Sequence, residues 1–172
     1  FLYNNEKSLF NQIVERLQPY RINSIKVVAP YYDVSGGLIK SLKDVFNPEI
    51  IHCVIDKRGI YPYEFLGKKN NYVKFYDWSK VSVETSSSTH LHGKLFQFET
   101  DGGTFLLLGS ANATNRAFGL ISGCYNDEAC VLIHSSHRLD FLADLDIKLD
   151  SPMTLEETKS LNKPSSENKT NT

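Results

Sequence analysis

The chain has 172 residues, 41% of them hydrophobic and 12% aromatic, which suffices for one domain with its own core. Lys and Arg total 19 against 20 Asp and Glu, so net charge argues neither for nor against a polyanionic partner, and only a local patch could attract one. No stretch is long and apolar enough to cross a bilayer as a helix, which argues against membrane insertion.

Phe1-Leu2-Tyr3 gives way at once to polar residues, which is not the pattern of a signal peptide; a fragment of a longer protein is the simpler expectation. Residues 5–17 then place Leu9, Phe10, Ile13, Val14 and Leu17 at helical spacing, and Pro19 stops that helix. Residues 24–29 are β-branched and end at Pro30, which predicts a buried strand. After Tyr31-Tyr32-Asp33 and Ser35-Gly36-Gly37 a helical pattern runs over 38–46, closed by Pro48. Residues 50–55 read as a strand covered on both faces, and 73–76 as a third strand behind a polar, tyrosine-containing stretch. Residues 94–99 and 104–108 flank Thr100-Asp101-Gly102-Gly103, a hairpin signal because these turn residues tolerate positive φ. Residues 128–133 read as one more strand and 138–145 as a short helix. The expected fold class is α/β: a mixed β-sheet flanked by helices, with one domain over 1–150 and a flexible polar tail over 151–172. Cys53, Cys124 and Cys130 form an odd set without close metal-binding spacing, so free thiols in a reducing, cytoplasmic setting fit better than disulfides.

The chemistry-bearing string is Thr89-His90-Leu91-His92-Gly93-Lys94, answered after the hairpin by Gly109-Ser110-Ala111-Asn112. The His-x-Lys is expected on one strand, where side chains alternate faces, so His92 and Lys94 point the same way and Gly93 points back. An imidazole can act as nucleophile or general acid, and a nearby ammonium can hold a phosphate oxygen. Ser110 and Asn112 fall where the chain leaves the sheet, and their hydroxyl and amide can donate to non-bridging oxygens. A helix beginning at Ala113 would add free backbone N–H groups, with Gly119 ending that turn. A carboxylate is needed to hold His92 in one tautomer, and Glu128, at the head of an apolar run, is the candidate.

His92-x-Lys94, Gly109-Ser110-x-Asn112 and the downstream Glu128 resemble the signature of the phospholipase D superfamily. The strand end at 27–31, the helix after it and the closing strand also fit one repeat of that family. The resemblance implies a phospholipase D-like α/β sandwich and metal-independent phosphodiester chemistry, with no cofactor and no metal. One histidine forms a phosphohistidine, and a second, from another copy of the motif, protonates the leaving oxygen. His92, Lys94, Ser110, Asn112 and Glu128 carry over as catalytic residues, with Lys94, Ser110 and Asn112 on the substrate and His90 lining the pocket. One motif copy implies a homodimer or half of a tandem protein. The family's aspartate five positions after the lysine is Glu99 here, and the Asp101-Gly102-Gly103 turn absorbs a longer gap between the motif halves.

Nucleic acid is the expected substrate and partner, because the chain lacks an interfacial amphipathic helix and small single-motif members of the family are typically nucleases. A lipid or small-molecule phosphodiesterase on the same site, and a non-catalytic nucleic-acid-binding or dimerisation module of a larger restriction or helicase protein, are the alternatives. His90-x-His92 could ligate zinc, but no Cys/His/Asp cluster accompanies it. Tyr31, Tyr32, Tyr61, Tyr63, Tyr72, Tyr76 and Trp78 are candidates to stack on bases, and Lys57-Arg58 and Lys68-Lys69 to meet a phosphate backbone.

Overall fold

A computed structural model of the chain describes residues 1–4, 6–68, 70–81, 90–123 and 125–161. Thr89, Lys69, Cys124 and the tail beyond 161 therefore lie outside the described residues. The sheet has seven strands in the order β1-β7-β6-β5-β2-β3-β4. They are β1 (Leu2–Tyr3), β2 (Ile22–Val28), β3 (Ile50–Ile55), β4 (Val73–Asp77), β5 (Leu95–Thr100), β6 (Gly103–Gly109) and β7 (Ala129–Ser135). The pairs β2–β3 and β3–β4 are parallel, and the other neighbours are antiparallel. The expected α/β fold with a mixed sheet and flanking helices is the fold observed.

Strand alternation sorts the side chains into two layers. Ile25, Val27, Ile51, Cys53, Phe96, Phe98, Phe105 and Leu107 face α1 (Leu9–Leu17) and α2 (Gly37–Phe46) in the larger core. Val28, Val54, Tyr76, Leu95 and Leu106 face the other way, against Val81 of α3 (Trp78–Val81), Leu142 of α4 (Phe141–Asp144) and Ile147. Helix α1 starts at Leu9 instead of residue 5, because the Ser8 side chain caps it by accepting from the Asn11 amide. Just before it, the buried Asn4 donates to the carbonyls of Ala117 and Asn126 and accepts from the Leu9 amide, so these residues serve as a staple. Helix α4 is shorter than the 138–145 pattern, since Asp140 caps it by accepting from the Ala143 amide and Asp146, at φ 55, leaves the helical conformation just beyond it.

The first part of the expected polar tail is built into the sheet's edge. The Met153 amide donates to the Phe75 carbonyl of edge strand β4 at 2.7 Å, and α5 (Leu155–Leu161) follows, with Thr158 buried. The hairpin turn is as the glycines suggested: Gly103 takes φ 116, a value L side chains rarely adopt. Cys53 and Cys130 are buried free thiols. No helix among the described residues is long and apolar enough to cross a membrane.

Candidate functional site

Register brings the motif together. Leu95, the first residue of β5, pairs with Leu108 near the end of β6 and with Val28 at the end of β2. Gly109 pairs with Cys130 near the start of β7. Residues 90–94, 110–115, 126–128 and the loops after β2 and β3 therefore all emerge at one end of the sheet. In open α/β sheets this end, beyond the carboxyl ends of the parallel strands, is where ligands bind.

His92 and Lys94 lie just ahead of β5, not within it. Pairing stops at Val28 because Ala29 is followed by Pro30, which has no N–H to continue the ladder. The alternation expected for a His-x-Lys on a strand is thus replaced by a turn-like contact: Lys94 Nζ donates to the His92 carbonyl at 2.8 Å. His90 and His92 are exposed, and Leu91 between them is buried. The Leu91 amide donates to Asp56 Oδ2 at 2.9 Å, which anchors the segment. Burial works against a charge on Asp56, yet hydrogen bonds from Arg58 and the Leu91 amide hold its carboxyl below the ordinary value.

On the other side of the hairpin, Ser110 and Glu128 are joined. The Ser110 hydroxyl donates to Glu128 Oε2 and accepts from the Ala129 amide at 3.1 Å. The second carboxylate oxygen receives Asn126 Nδ2 at 3.1 Å, and Glu128 is only 7% exposed. Gly109 is needed here: a Cβ on it would lie 2.3 Å from the Ala129 carbonyl and 2.6 Å from Cys130 Sγ. Asn112 is half-buried, and its Oδ1 is buried without a hydrogen-bond partner among the described residues, as is that of Asn115. No regular helix follows; Thr114 caps a single turn, accepting from the Ala117 amide, and Gly119 at φ 68 ends it. Two backbone hydrogen bonds with the loop after β2 hold that segment in place, Ala113 N to the Tyr31 carbonyl and Asp33 N to the Ala113 carbonyl. Asp33 Oδ2 adds bonds from the Leu38 and Asn115 amides.

The structure therefore pairs Ser110 with Glu128 and Lys94 with the His92 backbone. Among the described residues no hydrogen bond joins the His92 ring to Ser110, Asn112 or Glu128. Glu99 lies toward the other end of β5, where it accepts from Ser24 Oγ at 2.7 Å and pairs with Lys26 at 2.7 Å; Lys26 also meets Asp140 at 2.9 Å. Asn4, Asp33 and Asp56 are the supporting residues that sequence reasoning missed. Only Asp33, between a strand end and a Gly-Gly helix start, carried a local signal.

The aromatic and basic candidates separate by burial. Tyr32 and Tyr76 are core residues whose hydroxyls meet the Val54 carbonyl and His52 Nδ1, so they cannot stack on a ligand. Tyr31 and Tyr63 are exposed, at 44% and 37%. Lys57 and Arg58 are held by Asp77 and Asp56. Among the described residues no group of His, Cys, Asp and Glu could hold a metal ion.

No family model matches the chain, and no curated protein matches it. Among solved structures it is similar to the yeast tyrosyl-DNA phosphodiesterase, at 18% identity over 76% of this chain and 32% of that one, with a TM-score of 0.47. It is similar also to NucT from Helicobacter pylori, at 16% identity over 72% of this chain and 76% of that one, with a TM-score of 0.43. A polyphosphate kinase from Porphyromonas gingivalis aligns at 14% identity over 74% and 17% of the two chains, with a TM-score of 0.39. The chain spans about a third of the yeast enzyme's length. At these scores the function rests on the residues themselves.

Proposed function

We propose that the chain is a phospholipase D-type catalytic unit, a phosphodiesterase acting on nucleic acid with His92 as its nucleophile. The observation that carries this reading is the gathering of unlike phosphate-directed groups at one sheet end. His92 and Lys94 precede β5, Ser110 and Asn112 follow β6, and Glu128 precedes β7, on strands locked in register.

In the proposed reaction a ring nitrogen of His92 attacks phosphorus while the bond to the leaving oxygen breaks. A second histidine, from another copy of the motif, gives that oxygen its proton. Water then attacks the phosphohistidine, the second imidazole takes the water's proton, and the P–N bond breaks to free His92. Lys94 and Asn112 hold non-bridging oxygens, for which Lys94 exchanges its bond to the His92 carbonyl for a charge-assisted one to phosphate. Ser110, already oriented by Glu128 and the Ala129 amide, assists, and His90 lines the pocket. Glu128 supplies the negative charge that balances the imidazolium. An ammonium and amide donors thus do the work for which other phosphodiesterases use a metal. The second histidine makes the working unit a homodimer or a tandem chain. The free thiols Cys53 and Cys130 fit a reducing compartment such as the cytoplasm.

The test is cleavage of fluorescent DNA in excess EDTA by wild type and His92→Ala, with solution mass measured in the same buffer. EDTA-resistant cleavage lost in the variant is expected. Cleavage that survives the substitution, or that EDTA abolishes, contradicts the reading.

A further inference from the structure

We infer that the chain selects single-stranded nucleic acid, through a track that runs from the candidate site over Tyr31 and Tyr63 into a groove carrying Lys68 and Lys159. The inference rests on the phosphodiester reading of the site and adds to it the form of the substrate. Tyr31 marks where the track begins. The Tyr31 carbonyl accepts from the Ala113 amide, next to Asn112, which sets Tyr31 beside the candidate site. Its ring is 44% exposed at a position where the β2 loop could have buried an apolar side chain, as it does with Tyr32 at 2%.

Further exposed apolar residues follow Tyr31 along the neighbouring loops. Tyr31 forms a β-bridge with Ile60, which is 44% exposed, and the Glu64 amide donates to the Val34 carbonyl, which ties the next turn to the same rim. Tyr63 stands edge-on to Tyr61, with ring centroids 4.8 Å apart, so its orientation is set by packing. Tyr63 also lines a groove of about 680 Å³ with Glu64, Leu66, Gly67, Lys68 and Lys159. Lys68 and Lys159 make no salt bridge among the described residues, whereas Lys57 and Arg58, nearer the sheet, are engaged by carboxylates. Ordered aromatic faces alternating with available ammonium groups suit a single strand, whose bases are free to stack while its phosphates meet cations. A duplex offers no unstacked base to Tyr31 or Tyr63, and a bilayer would call for a broader apolar face than these loops present.

The test is fluorescence anisotropy with a short labelled oligothymidylate, the matching duplex, and phosphatidylserine vesicles as a third probe. It uses wild type, Tyr31→Ala, Tyr63→Ala, the Lys68→Ala/Lys159→Ala double variant and His92→Ala, each checked for an unchanged circular dichroism spectrum. Wild type is expected to prefer the single strand. Each tyrosine variant should weaken that binding by about fivefold to a hundredfold. The lysine variant should weaken it and flatten its salt dependence, and His92→Ala should still bind. Single-strand binding unchanged in the tyrosine variants, equal binding of the duplex, or retention on vesicles in its place overturns the inference. A chain that binds through the tyrosines but cleaves nothing keeps the track and overturns the catalytic reading. One that cleaves through His92 with no tyrosine effect does the reverse.

Discussion

The Ser110 hydroxyl has one donor and uses it on Glu128, while the carboxylate's other oxygen takes the Asn126 amide. Ser110 is exposed but the Glu128 carboxylate is buried, where a lost charge matters more than in water. Glu128→Gln keeps the side-chain shape and an oxygen for Ser110, so folding should change by no more than about 1 kcal/mol. In the proposed mechanism the same change removes the negative charge that supports the His92 imidazolium. Phosphodiester cleavage should therefore fall about a hundredfold, read as kcat at saturating substrate beside a thermal melt. Loss of the fold with loss of activity would reduce Glu128 to a structural residue. His92, Lys94, Ser110 and Asn112 could be nominated from two short strings because their residue types carry the chemistry, and Glu128 as the carboxylate heading an apolar run. Asp56 and Asn4 were not, because their roles exist only through space: Asp56 reaches the Leu91 amide, 35 positions on, and Asn4 reaches the Ala117 carbonyl, 113 positions on.

At the scale of elements, the hairpin β5–β6 and its neighbour β7 set the site's dimensions. Gly109 ends β6 with no room for a Cβ against the Ala129 carbonyl and Cys130. Gly109→Ala must push the head of β7 outward, and Glu128 with it. The expected cost is about 1–3 kcal/mol of stability in urea unfolding, with loss of cleavage out of proportion to the unfolded fraction. A variant as stable and active as wild type would show that the close approach is not needed. The hairpin itself was readable, since Asp101-Gly102-Gly103 sits between two apolar runs. Strand β1 was not, because Leu2–Tyr3 is too short for any periodicity and gains its identity from pairing with Cys130 and Ala129. Helix α5 escaped for a related reason: its buried residue is Thr158, and its place is fixed by a backbone bond to the edge strand, which an apolar pattern does not reveal.

For the whole molecule, the charged cluster under the sheet is one contributor to how stability responds to acid, beside Asp56 and Asp77. Burial disfavours charge on Glu99 and Asp140, but Lys26, bonded to both, holds their carboxyls below the ordinary 4.5 and 3.8. Burial likewise disfavours charge on Lys26, yet the carboxylates raise it above 10.5. The unfolded chain takes up protons before the folded one as pH falls. The carboxylates' contribution is thus complete above about pH 5 and is lost as pH drops through their folded values. The Lys26 contribution persists to strongly alkaline pH and is lost only above 10.5. Lys26→Met leaves two carboxylates without their cation and should cost about 1–3 kcal/mol at neutral pH. Its unfolding free energy should also fall less steeply between pH 5 and 3 than that of wild type. Parallel acid profiles for the two proteins would show that Lys26 is not what holds the carboxyls down. The cluster was hidden in the sequence because Lys26, Glu99 and Asp140 meet only once β2, β5 and the α4 cap are assembled. Glu99 stood out there only as a departure from a family pattern.

The claim on which the rest depends is that His92 forms a bond to phosphorus. It is tested most directly by mixing the chain with a labelled oligonucleotide, quenching in base, where phosphohistidine survives, and locating the adduct by peptide mass spectrometry. The expected result is a base-stable, acid-labile phosphoryl adduct on His92, absent from His92→Ala. Cleavage that proceeds with no adduct, or an adduct on another residue, would contradict it.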